Sequence, residues 1–351
     1  MKKLFRIRFF GALSDNLKSK IKNRKCAGLV VIAFLLVVVG PVADAQQTGK
    51  VFRIGILDPT TASSSAVRWE AFRQELSKLG WIEGKNIAIE YRFSEGKAEP
   101  LPELAAELVR LKVDLIVTSG TPQALAAKNA TTAIPIVMST PDPVDLGLVA
   151  SLARPGGNVT GYSTLSPELN TKRLEILKDA VPKLVRVGLL RRPPGVNPGQ
   201  DIQLKELRLA ALALKLKLEE IDTQLDPKGL ESAFQTAKQK QAGAIMPTAV
   251  RVFSAERKRI VELAGKYRVP ASYPNKEYVD EGGLMSYGQD VADQYLRMAV
   301  YVDKILKGAK PSDLPVQQAT KFEFVINLKA AKQIGLTIPV RVLERANQVI
   351  K

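Results

Sequence analysis

The sequence predicts an α/β protein of two similar lobes, each a parallel sheet flanked by helices, joined by a multi-strand hinge. Three observations carry this. From Val51 onward, short apolar runs alternate with amphipathic stretches. The runs are wholly apolar rather than alternating, as suits strands buried on both faces. The pattern then restarts midway with matching punctuation, A-I-P-I-V-M-S-T at 133–140 and R-V-P-A-S-Y-P at 268–274.

Taken in order, Phe52–Leu57 reads as a strand, and Val67, Phe72, Leu76 and Leu79 follow at helical spacing up to Gly80. Strand 87–91, helix 101–111, strand 115–117, helix 123–130 and strand 136–138 complete the first set. The second set runs strand 186–190, helix 203–216, strand 217–221, helix 230–241, strand 244–246, helix 256–267 and strand 271–273. Strand–helix–strand order implies right-handed crossovers and an open sheet. The tail differs. After strand 284–287, Val291, Tyr295, Met298, Val302 and Ile305 mark the clearest helix, with Asp290 as its cap and Gly308 past its end. A further helix begins near Leu328. Such a tail returns to the first lobe and crosses again, which is the hinge. The division expected is 46–161 plus about 288–316 for lobe 1, and 162–287 plus about 317–351 for lobe 2.

Residues 1–45 read as an export signal. Nine Lys/Arg precede the charge-free run A-G-L-V-V-I-A-F-L-L-V-V-V-G at 27–40, and Ala43 and Ala45 supply small residues before a cut ahead of Gln46. The apolar run is short of the roughly 20 residues of a full span; left uncut, the segment would anchor the protein to the membrane. The expected location is periplasmic. Residues 1–45 also hold two acids and the chain's one cysteine, Cys26, so the net charge of +17 falls by seven to +10 in the mature chain. That charge is dispersed, as on a solvated surface, which argues against nucleic acid as a partner. With no histidine in the chain and no cysteine in the mature part, Ser–His and Cys–His pairs and His/Cys zinc sites are excluded. The reading is of no enzyme and no cofactor.

In open α/β sheets ligands sit at the carboxyl ends of strands, where helix N-termini attract anionic groups. The strand-end tips in this chain are polar and stiffened by proline or opened by glycine. In lobe 1 they are D-P-T-T-A-S-S-S (58–65), T-S-G-T-P (118–122) and S-T-P-D-P-V-D (139–145). In lobe 2 they are R-R-P-P-G-V-N (191–197), P-T-A-V-R (247–251) and Y-P-N-K-E-Y (273–278). The candidate ligand-binding residues are Asp58, Thr60, Ser119, Gly120, Thr121, Thr140, Asp142, Asn197, Thr248, Tyr273, Asn275 and Tyr287. Thr121 reads equally as the cap of the helix after it. Asp142 either meets a ligand ammonium or caps a helix over 144–152, and Tyr287 either meets ligand or packs the hinge. Rigid tips facing one another across two lobes suit a cleft that closes on a small molecule.

The chain resembles the ABC-transporter substrate-binding family that includes tryptophan/tyrosine-type binding proteins, of the periplasmic-binding-protein type 1 fold with its two Rossmann-like lobes. The resemblance rests on R-I-G-I-L (53–57), F-R-Q-E-L-S-K-L-G-W-I-E-G-K-N (72–86), S-L-A-R-P-G-G-N-V-T-G (151–161), G-G-L-M-S-Y-G (282–288) and V-D-K-I-L-K-G-A-K-P-S-D-L-P-V (302–316). It implies a receptor that delivers a small, amino-acid-like and in characterised relatives aromatic solute to a permease and ATPase. It implies too that T-S-G-T-P and S-T-P-D-P line the cleft, and that the crossovers are 158–161 and the segments after Gly288 and Leu314. One departure is L-R-R-P-P-G-V-N (190–197), where relatives show a plainer loop; Arg191 or Arg192 facing the cleft would favour a more acidic ligand.

Other classes fit less well. The first strand's turn lacks G-x-G-x-x-G. A helix-turn-helix regulator would need that motif where the apolar run stands. A ligand-sensing receptor of the same fold, signalling to a membrane partner, is the alternative that the residues leave open.

Overall fold

The computed structural model describes residues 50–351, so the expected export signal lies outside the described residues. Elements are numbered in chain order. The first sheet holds β1 (Phe52–Asp58), β2 (Ile87–Phe93), β3 (Leu115–Ser119), β4 (Ile136–Thr140), β5 (Val159–Ser163) and β11 (Gln317–Gln318). Their order is β11-β5-β4-β3-β1-β2, and every neighbouring pair is parallel. The apolar runs explain this: β3 and β4 are buried along their whole length, because helices cover both faces.

The second lobe repeats the winding. The strands β6 (Arg186–Arg191), β7 (Lys217–Asp222) and β8 (Ala244–Pro247) form a sheet in the order β7-β6-β8. A further sheet, β13-β12-β10-β9, holds β9 (Ser272–Tyr273), β10 (Met285–Gln289), β12 (Phe322–Asn327) and β13 (Gln348–Ile350). One parallel bridge, Ile245 to Ala271, joins the two pieces. The order 2-1-3-4-5 of the first lobe thus recurs as 7-6-8-9-10. Matching positions carry matching residues: Gly55 pairs with Glu90 and Ile116, and Gly188 with Glu219 and Ile245. In both lobes the order reverses beside the first strand, which sets a crevice at the strands' carboxyl ends.

The helices that matter for the crevice start beside it. They are α1 (Ala62–Lys78), α3 (Thr121–Ala130), α4 (Ser166–Ala180), α5 (Pro198–Ala213) and α10 (Val291–Leu306), with α2 (Leu101–Arg110) between the first two. Thr61 opens α1 with a reciprocal cap to Ser64, and Asp290 caps α10 through the Asp293 N–H. Although α10 follows β10, its apolar stripe packs into the first lobe. Tyr295, Met298 and Val302 join Ile54, Ile56, Trp69 and Phe72 there. The Trp69 ring meets Tyr295 edge to face at 5.0 Å, a pairing worth about 1 kcal/mol beyond its burial.

Three chain passages join the lobes, and they are hydrogen-bonded to one another. Ala319 N–H donates to Ser163 at 3.0 Å, and Asp290 N–H donates to Lys321 at 3.1 Å. Strand β5 runs to Ser163, β10 to Gln289 and β11 to Gln318, so the first and third passages fall a few residues later than the sequence suggests, and the second begins one residue past Gly288. Two local expectations fail. Thr121 does not cap α3: Gly120 does, and Thr121 is already helical. No helix forms over 144–152, where turns follow Pro143 and Gly147 at φ +63°.

Candidate ligand-binding site

The carboxyl ends of both sheets face one hollow. From the first lobe it is lined by Ser119, Gly120, Thr121, Ser139, Thr140 and Pro141. The passages add Thr164, Ser166, Gln289, Val291 and Gln294, and the second lobe adds Arg173, Asn197, Gln203, Arg251 and Asn275. The first-lobe residues are there for local reasons. Ser119 and Thr140 are the last residues of β3 and β4, and Gly120 holds φ +112° at the turn into α3. That backbone conformation is one L side chains rarely adopt, which is the reason for glycine here.

The hydroxyls are held by one another and by side chains of α10. Thr121 and Thr140 share a hydrogen bond between their Oγ1 atoms at 2.7 Å, and Ser119 Oγ lies 3.2 Å from the Tyr295 hydroxyl. Gln294 Nε2 donates to Ser139 Oγ at 2.6 Å, and Gln289 Nε2 donates to Gln294 Oε1 at 2.8 Å. Other polar atoms have no partner among the described residues: Arg173 Nε, Arg251 Nε, Asn275 Oδ1 and Gln289 Oε1. Buried polar groups without partners are rare in native proteins; others lie elsewhere in the described residues, on Thr118, Ser272 and Tyr278 among them, but these four belong to side chains that line the hollow.

The two arginines stand out. Arg173 is 1% exposed and donates Nη1 to the Tyr287 carbonyl at 2.9 Å and Nη2 to Asn170 Oδ1. Burial holds its guanidinium down to about 9, against the pull of Tyr278 and Tyr287. Arg251 reaches the first lobe, donating to the Tyr295 hydroxyl at 2.9 Å. Behind it Arg68 of α1 pairs with Glu277, Nε to Oε1 at 3.0 Å with a second bond from Nη2. A Cβ on Gly199 would lie 2.2 Å from Thr121 Oγ1, so the start of α5 touches the first lobe across the cleft. The hollow measures about 90 Å³.

Of the residues that the sequence singled out, Ser119, Gly120, Thr121, Thr140, Asn197 and Asn275 line this hollow. Six do not. Asp58 is fully buried, accepting from Thr60 N–H and Oγ1 on one oxygen and from Trp69 Nε1 on the other; that pairing occupies Thr60 as well. Asp142 Oδ1 accepts from the Val144 and Asp145 N–H groups in a local turn. Thr248 is buried against Gln200 Oε1, and Tyr273 is stacked on Tyr278 at 4.8 Å inside the second lobe's core. Tyr287 packs edge to face on Phe324 at the hinge, and only its carbonyl turns toward Arg173. Arg191 pairs with Glu220 and Asp222, away from the hollow, whereas Arg192 and Lys97 line a smaller one of about 40 Å³ beyond Gly120 and Asn197. The sequence reading missed Arg173, Gln289 and Gln294. Arg251 closes the quoted tip P-T-A-V-R, where its cationic end was the signal.

Comparison with known proteins agrees with this architecture. The family described as ABC transporter substrate binding protein matches residues 53–350. A tyrosine-binding protein of Clostridioides difficile is 29% identical over 270 residues, 76% of each chain. The structure of an ABC domain in complex with L-Trp from Streptococcus pneumonia superposes with a TM-score of 0.75 at 27% identity, covering 85% of this chain and 99% of that one. A ligand-free, open structure of a substrate-binding protein with adhesive properties from Clostridium difficile gives 0.60 at 25% identity, over 86% and 99% of the chains. The chain belongs to the ABC transporter substrate-binding protein family.

Proposed function

We propose that the protein is the extracytoplasmic solute receptor of an ABC importer, capturing a small amino-acid-like solute between its lobes by hinge closure and passing it to a permease and ATPase. The lobes divide near 46–161 with 288–316 and 162–287 with 317–351, each boundary moved to the end of the strand nearest it. The observation that carries the reading is the convergence of both sheets' carboxyl ends on one hollow whose polar atoms are partly unpartnered. Both lobes supply lining residues, so a solute that touches both favours the closed state. The higher TM-score with the L-Trp complex than with the ligand-free open structure supports taking the present arrangement as the closed one. The relatives' names support an aromatic amino acid as the first solute to try. Family membership supports binding rather than catalysis, and a location outside the cytoplasm. Among the described residues no helix is long and apolar enough to cross a membrane.

The test is equilibrium titration with L-tyrosine and L-tryptophan, read by unfolding midpoint. Saturable stabilisation is expected, and Asn275→Ala should weaken it at least tenfold, about 1.4 kcal/mol, without lowering the unliganded midpoint. Equal affinity in the variant would remove Asn275 from the site.

A further inference from the structure

Charge is distributed unevenly around the hollow. Its lining holds two guanidiniums, Arg173 and Arg251, and no aspartate or glutamate. The smaller hollow beyond Gly120 adds Lys97 and Arg192, again without a carboxylate. Four helices of ten residues or more, α3, α4, α5 and α10, begin at the main hollow. Their first-turn N–H groups add positive potential there. Acids close to the lining in the chain or in space are committed elsewhere: Asp290, between Gln289 and Val291, to the Asp293 N–H, Asp58 to Trp69 and Thr60, Glu277 to Arg68, and Asp142 to its own turn.

Helix ends alone would say little. The second observation is that Arg173, 1% exposed, has its Nε free of any partner among the described residues, and that its other bonds go to neutral oxygens. A buried guanidinium with no carboxylate is costly unless an anion joins it. The oxygens left for a cationic group are neutral ones, Asn275 Oδ1 and Gln289 Oε1. Such acceptors bind a cation less strongly than a carboxylate does.

We propose that the solute of this site is recognised as a carboxylic acid, seated against Arg173, Arg251 and the converging helix starts, and that an α-ammonium group on it is dispensable. This rests on the hollow being the solute site, and it departs from amino-acid recognition in which both charged ends are matched. The protein accordingly accepts the deaminated acid as readily as the amino acid, and rejects the amine.

Calorimetric titration of the purified protein with two triplets tests this. The first is L-tyrosine, 3-(4-hydroxyphenyl)propanoate and tyramine; the second is L-leucine, 4-methylpentanoate and 3-methylbutylamine. Myo-inositol serves as a neutral solute. In whichever triplet binds, the acid is expected to match the amino acid within tenfold, and the amine to be at least a hundredfold weaker. An acid more than tenfold weaker than its amino acid, or an amine that binds comparably, overturns the proposal. Binding of myo-inositol alone overturns acid recognition but leaves solute capture standing, and no heat from any probe counts against both. Gln289→Glu supplies the missing carboxylate, so it should shift the acid-to-amino-acid preference at least tenfold toward the amino acid. An unchanged ratio there contradicts the proposed arrangement of charge.

Discussion

The two lobes share one winding order but not one construction. In the first, six strands form a single parallel sheet, and β4 pairs with β3 and β5 along its length. In the second, the corresponding strand β9 has two residues, and one bridge carries the sheet from β8 onward. Side chains make up the difference. Tyr273 and Tyr278 stack there among Leu263, Ala264 and Phe253, so the joint is closed by packing rather than by ladder bonds. The lesson is that a repeat conserves crossover geometry while strand pairing varies. The tips at the carboxyl ends reach the hollow from either lobe.

That comparison can be broken where the lobes carry equivalent glycines. Gly161 in β5 would place a Cβ 2.1 Å from the Met138 carbonyl and holds φ +137°, while Gly288 in β10 would place one 1.7 Å from the Pro274 carbonyl. Gly161→Ala should cost at least about 3 kcal/mol in denaturant unfolding, because the continuous sheet cannot yield. Gly288→Ala should cost less, because Pro274 follows a strand held at few points. Equal losses would show that both sheets are equally stiff. Next in size is Glu277→Gln, which leaves the buried Arg68 without its carboxylate across the lobes. Solute affinity should fall about tenfold, or 1.4 kcal/mol, as the closed state loses that pair; unchanged affinity would mean that the pair does not bias closure. The smallest effect is expected at Asp142→Ala. Its carboxylate serves its own turn, so solute affinity should stay within twofold, and a tenfold loss would return Asp142 to the site.

Much of this site was legible because strand ends are local features. An apolar run stopped by Ser-Gly-Thr-Pro or Ser-Thr-Pro names a tip, and the sheet's handedness puts such tips on one side. Ser119, Thr121, Thr140 and Asn275 were found that way. Arg173 was not, since it sits in the middle of α4 and faces the hollow only because the hinge folds that helix beneath Tyr287. Gln294 arrives from a helix whose packing partner lies over two hundred residues earlier, as Trp81 Nε1 to Asp303 at 2.8 Å illustrates. No local spacing encodes that return. Asp142 and Tyr273 do not line the hollow, for opposite reasons. An Asp beside prolines satisfies its own backbone first, and a strand-end tyrosine finds a ring to stack on before it finds a ligand.

Solution scattering tests most directly the claim that a solute is held by closure of the two lobes. With saturating L-tyrosine or its deaminated acid, the radius of gyration should fall, and the contraction should saturate at the midpoint seen by calorimetry. A radius unchanged at saturation, with binding heat present, would contradict capture between the lobes.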